Sequence, residues 1–175
     1  MKFSKSVTSV VTLTLLSASF HCDSANAGSS VATAECREVE DLIEFVADET
    51  GYPLLRSCPK VTVAPDFVLR SLFMKASAHG EEPMAVFVSA SSEILLSPSV
   101  DLADLLGRSY MVHELVHASQ LENGMKAPST CLSLPESEAY WVQASYLRKH
   151  GLNEDALTFE LVSMMQSACA HPYHR

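Results

Sequence analysis

Basic residues are scarce in this chain: Lys and Arg number 12 against 21 Asp and Glu, leaving a formal charge of −9 over 175 residues. So acidic a chain repels phosphate backbones, which excludes nucleic acid as a partner. Glycine (6) and proline (8) are also few, and neither gathers into a linker; no internal repeat or low-complexity segment occurs. One domain with one core is expected. Long apolar runs are missing except at the start, MKFSKSVTSVVTLTLLSASF, where Lys2 and Lys5 flank the entry to a Val- and Leu-rich run too short for a comfortable membrane span. That run leads into Ala25-Asn26-Ala27, a small-x-small cleavage sequence. Residues 1–27 are therefore predicted to be a secretory signal peptide and residues 28–175 an exported domain, periplasmic or extracellular, with no stable membrane anchor after cleavage. Removing 1–27 takes away Lys2, Lys5 and Asp23, so the charge of −9 becomes −10.

Closely spaced cysteines are absent too. Cys22 leaves with the signal peptide, and Cys36, Cys58, Cys131 and Cys169 lie too far apart for the usual cysteine-ligated structural zinc. Four cysteines in an exported chain predict two disulfides. Three pairings are possible; Cys36–Cys58 with Cys131–Cys169 is favoured, the first closing the opening helix and its loop, the second tying the central region to the last helix.

What is present is His113-Glu114-Leu115-Val116-His117. On a helix, His at i and i+4 point to one side about a turn apart, which is the geometry that grips Zn²⁺, and the intervening Glu114 is placed to act as the catalytic base. Leu102, Leu105, Leu106, Val112 and Val116 share the histidine stripe, so the helix is expected to be buried with both imidazoles turned inward. Buried imidazoles need partners. Apart from the motif, histidine clusters are limited to the tail pair His171 and His174, which argues against a zinc-storage protein.

Hydrophobic periodicity places the motif among a few elements. Helices are predicted over 35–49, from Pro65-Asp66 to about 77, over 102–122 with Asp101 as N-cap, over 136–149 after Pro135, and from Asn153 to about 169. Strands are predicted over 60–64, 84–90 and 93–97, and Asn123-Gly124 stops the motif helix. The fold class is thus α+β, with a small mixed sheet and two successive helices that carry the chemistry.

Two histidines hold zinc weakly, so a third ligand is required. The metzincin pattern is excluded, because Gln120 stands where it has Gly and Asn123 where it has His. The only aspartate after the motif is Asp155, at a helix start. Among the glutamates, Glu122 turns away from the histidine stripe. Glu136 and Glu138 open the next helix about 200° apart, so only one can face the metal. Glu136 shares its stripe with Ala139, Tyr140, Gln143 and Leu147, and small Ala139 lets the helices approach, so Glu136 is favoured over Glu138.

His113-Glu114-Leu115-Val116-His117, followed 19 residues on by Glu136-Ser137-Glu138-Ala139-Tyr140, resembles the gluzincin branch of the zincin metallopeptidases. The resemblance covers about residues 60–150. It implies a zincin-like domain in which His113, His117 and Glu136 hold Zn²⁺, Glu114 serves as base and then acid, and a peptide or protein substrate is hydrolysed. It also implies a substrate-pairing edge strand before the motif helix, the place that Glu93–Ser97 occupies. The aspartate that buttresses a metal histidine in that family is Tyr140 here, so support for the imidazoles must come from another group. Tyr140, His150, His171, Tyr173 and His174 are candidates for stabilising an oxyanion, and none is singled out. The alternative expectation is a non-catalytic zinc-containing protein of the same fold that binds a peptide or an envelope partner.

Overall fold

The computed structural model describes residues 36–73, 82–125, 131 and 133–168. The expected signal peptide 1–27, Cys169, and His171, Tyr173 and His174 lie outside the described residues. Among those described, no helix is long and apolar enough to cross a membrane.

The architecture is mixed α+β, with five helices and one three-stranded sheet among the described residues. Helix α1 (Glu40–Thr50) buries Leu42 and Val46 and stops at Gly51, whose φ of 73° only glycine adopts cheaply and whose N–H caps Ala47. It starts later than the predicted 35, because Cys36–Val39 form a turn instead. The Cys36–Cys58 disulfide forms and ties that turn to the loop before β1 (Lys60–Val63). Cys131 is disulfide-bonded as well, and its expected partner Cys169 lies outside the described residues.

Helix α2 (Asp66–Phe73) leads on to the hairpin of β2 (Ala85–Val88) and β3 (Glu93–Leu96), turned at Ser92 with φ 52°. The strand order is β1-β3-β2, parallel between β1 and β3 and antiparallel between β2 and β3. The expectation that Glu93–Ser97 is the edge strand is therefore corrected: β3 is the central strand, and β2 is the edge facing the motif helix. Burial explains it. Ile94 and Leu96 are fully or nearly fully enclosed, as suits a strand paired on both sides, whereas every residue of β2 keeps partial exposure.

Helix α3 (Leu105–Glu122) carries the motif and is the hub of the domain, packed against α1, β2 and α4 (Leu134–Lys149); α5 (Asn153–Ser167) packs in turn on α4. The predicted single stripe is too narrow a description, since residues on every side of α3 are buried, including Ser109, His113, Glu114, Ser119 and Gln120. Each buried polar group then requires a partner. Ser109 Oγ, for instance, donates to the Leu106 carbonyl at 2.7 Å and accepts from Gln143 Nε2 at 3.1 Å.

The N-cap of α3 is Asp104, whose carboxylate accepts from the N–H groups of Leu106 and Gly107, and not Asp101 as predicted. Asp101 instead builds the preceding turn, through its side chain to Ala103 N–H and its carbonyl to Asp104 N–H. That carbonyl lies against the helix: a Cβ on Gly107 would sit 1.9 Å from Asp101 O and 2.8 Å from Asp101 C. Both are backbone atoms, so no rotamer change relieves the clash. Gly107→Ala should lose about 1–3 kcal/mol by overpacking, although alanine is favoured over glycine in a helix by about 1 kcal/mol. Urea unfolding of the two proteins checks the sign, and a more stable Gly107→Ala would contradict this close approach.

Candidate metal centre

The i, i+4 spacing on α3 brings the two imidazoles together as the helical period dictates, with His113 Nε2 and His117 Nε2 3.2 Å apart. Helix α4, entering through Pro135 in its first turn, sets Glu136 against them: Glu136 Oε2 is 3.4 Å from His113 Nε2 and Oε1 is 3.4 Å from His117 Nε2. These three side chains are the group among the described residues that can hold a metal ion. The separations test the fit. Donors about 2.0–2.2 Å from a tetrahedral Zn²⁺ lie about 3.4 Å from one another; here each imidazole faces its own Glu136 oxygen at that distance, and one ligand atom from each of the three residues lies within 4.8 Å of the other two. His113 is buried, His117 partly so, and the Glu136 side chain is 46% exposed, so the centre opens toward solvent on the α4 side.

Electrostatics point the same way. Burial alone would disfavour a charged His117, but the Glu136 carboxylate beside it and the nearby Glu114 outweigh burial and push its pKa up to about 9 in the metal-free protein. Burial would raise Glu136, yet His113 and His117 hold it well below the usual carboxylate range. The centre thus favours a cation, and a proton competes with a metal for it. The pH dependence follows with opposite signs for the two forms. In metal-free protein, the His117–Glu136 pair contributes stability that is present below the ordinary histidine value of about 6.5 and lost as pH rises through about 9. The increment in melting temperature given by zinc should instead grow over that interval, as His117 yields its proton more readily. Thermal melts at pH 6.5 and 9, with chelator and with zinc, measure both; a zinc increment that shrinks with rising pH would contradict the coupling.

Glu114 lies on the neighbouring face of α3, 7% exposed, where its Oε2 accepts the Phe87 N–H of edge strand β2 at 2.6 Å. Phe87 pairs across from Ile94, and its N–H points away from β3. Beside this contact lies an open depression of about 300 Å³, lined by Phe87, Ser89, His117, Gln120, Leu121 and Met125 with Glu136. His117 and Glu136 of the metal-ligand candidates and Phe87 of the edge strand therefore border one cavity, and Glu114 reaches it only through its bond to Phe87.

Other residues weighed from sequence go elsewhere. Glu122 accepts from Arg56 N–H and Ser57 Oγ, Glu160 pairs with Arg148, and Glu154 and Asp155 sit in the first turn of α5. His150 bonds the Tyr146 carbonyl and lies over the Tyr146 ring, far from the role considered for it. Tyr140 packs its ring against His113, centroids 4.4 Å apart, and stacks on Phe159. His113 Nδ1 is buried without a hydrogen-bond partner among the described residues, so packing orients that ring.

Two side chains at the site were not foreseen as its members. Gln120 bonds His117 Nδ1 at 2.9 Å, and its other end reaches Glu138 Oε2 at 2.8 Å and the Pro135 carbonyl at 2.9 Å. Tyr52 OH donates to the same Glu138 oxygen at 3.0 Å. Gln120 had a sequence signal, since residue i+3 from His117 shares its helix face; Tyr52, 86 positions from Glu138, had none.

Fold and site together define an α+β protein with a two-histidine, one-glutamate group able to hold a metal ion on its central helix. The chain belongs to the family described as Domain of unknown function (DUF6647), which it matches over residues 31–174. No curated protein and no solved structure matches it.

Proposed function

We propose that this protein is a small exported zinc metallopeptidase of zincin-like fold and gluzincin type, in which His113, His117 and Glu136 hold Zn²⁺ and Glu114 is the general base. The observation that carries the reading is the convergence of donors, 3.2 Å between the two Nε2 atoms and 3.4 Å from each to a different oxygen of Glu136. Bound there, Zn²⁺ supplies Lewis acidity, bringing the pKa of water toward neutrality and polarising the scissile carbonyl. Glu114 takes a proton from the attacking water as its oxygen bonds to the carbonyl carbon. The same carboxyl then passes that proton to the amide nitrogen as the C–N bond breaks, leaving a carboxylate and an amine. Its Oε1 has no protein hydrogen bond among the described residues, while Phe87 N–H steadies Oε2.

A peptide or protein substrate adds to the outer edge of β2 as an extended strand, main chain to main chain, beside the Phe87 N–H that Glu114 holds. The Cys36–Cys58 disulfide supports export to an oxidising compartment, periplasmic or extracellular. The second reading, a non-catalytic zinc protein that captures a peptide, is favoured by one observation: Glu114 engages the very N–H that an incoming strand would use. Elemental analysis of the protein made from Gly28 under oxidising conditions and dialysed exhaustively tests the shared premise. One zinc per chain is expected, and a reproducible value near zero would remove both readings.

A further inference from the structure

We propose that Gln120, Glu138 and Tyr52 form a positioning relay that keeps the proton of neutral His117 on Nδ1 and turns its Nε2 lone pair toward His113 and Glu136. The proposal rests on the reading of His117 as a metal ligand. It begins with the orientation of one amide. One end of the Gln120 side chain faces two groups that only accept, the Pro135 carbonyl at 2.9 Å and the Glu138 carboxylate at 2.8 Å. That end is therefore the NH₂. The opposite end is the carbonyl, and it lies 2.9 Å from His117 Nδ1. A carbonyl accepts, so Nδ1 carries the hydrogen, and in the neutral ring the lone pair belongs to Nε2.

Each further link fixes the one before it. Glu138 Oε2 receives both Gln120 Nε2–H and the Tyr52 hydroxyl, which holds the carboxylate in place and its acceptor side toward the amide. Burial, and next the Glu138 carboxylate, push the Tyr52 phenol up to about 12, so it remains a donor across the neutral range. Tyr52 itself is anchored. Its N–H bonds Thr50 Oγ1 at the end of α1, and the loop that carries it is tied by the Cys36–Cys58 disulfide and by Arg56 N–H and Ser57 Oγ on Glu122. The far end of the relay is thus held by covalent and hydrogen bonds rather than by a mobile side chain. Among the described residues His113 has no such support on its Nδ1, and the relay acts on His117. A group that accepts the other ring N–H of a metal histidine fixes its tautomer and raises ligand basicity; here the Gln120 carbonyl accepts it, and the Glu138 carboxylate holds that amide in place.

Zinc affinity by chelator competition and long-range ¹H–¹⁵N spectra of the imidazoles in metal-free protein at about pH 10, above the His117 titration, test the relay. Gln120→Ala should weaken zinc about 10–100-fold and let the His117 proton redistribute to Nε2. Gln120→Glu alone should also weaken it, because two carboxylates then face each other. The swap Gln120→Glu with Glu138→Gln restores the order of donors and acceptors and should return affinity to within a few-fold of wild type, which a merely space-filling role would not require. Tyr52→Phe, which keeps the ring, should cost a few-fold. An unchanged tautomer and affinity in Gln120→Ala, or a swap no better than Gln120→Glu, would overturn the proposal. If wild type bound no zinc while the tautomer still followed residue 120, the metal reading alone would fall and the relay would stand.

Discussion

Glu136→Ala should lose zinc more severely than any other single change at α4, by more than the roughly 10–100-fold that loss of an outer partner costs. Glu136 is the only anionic member of the group His113, His117 and Glu136, so its removal deletes a bond and the charge that offsets a divalent cation. Each tenfold of affinity is about 1.4 kcal/mol. Glu138→Ala, acting only through Gln120, should fall within the outer-partner range. A readout independent of zinc accompanies the first variant: without Glu136, burial faces less opposition, and the His117 pKa should drop from about 9 in the metal-free protein. Competition against a graded series of chelators and an NMR titration measure the two effects. Glu138→Ala proving the more damaging variant would reverse the assignment of the two glutamates.

Glu114→Gln should keep one zinc per chain and lower peptide hydrolysis by about 10²–10⁴-fold, the range of positioned acid–base groups. The substitution is chosen because the amide oxygen of Gln can still accept the Phe87 N–H that Glu114 Oε2 accepts at 2.6 Å. Helix and strand stay joined while the proton acceptor is lost. Cleavage of a peptide library or a denatured protein, followed by mass spectrometry, supplies the rate. Equal rates in the two proteins would remove Glu114 from the base role. A wild type that holds zinc, cleaves nothing and retains peptides from the same library would instead identify the peptide-capturing protein, with Glu114 as a latch on the edge strand.

Much of the site was legible in the sequence because its relations are local or periodic. The pairing of His113 with His117 is a property of 3.6 residues per turn and requires no knowledge of the fold. The preference for Glu136 over Glu138 is likewise a statement of helix phase, and Glu136 is the one that meets the imidazoles. The helices and strands begin and end near where Gly51, Pro65, Pro135, Gly124 and Gly151 punctuate them. Where the start of α3 was misjudged, two groups of equal local merit competed: Asp101 and Asp104 can both cap a helix, and the tight seat of Gly107 against the Asp101 carbonyl goes with Asp104 as the cap.

By itself, then, the amino-acid sequence determined the α+β class, the central motif helix, the pair of histidines and the phase that presents Glu136. Only the tertiary structure decided that β3 is central and β2 the edge, that Glu114 meets Phe87, and that Gln120 joins His117 to Glu138 and Tyr52. The reason is physical. A helix repeats its own geometry every few residues, so neighbours along it are written in the spacing. Strand order and contacts between elements depend instead on how loops close and buried faces pack, and residues such as Tyr52 and Glu138, 86 positions apart, become neighbours only when the whole core assembles.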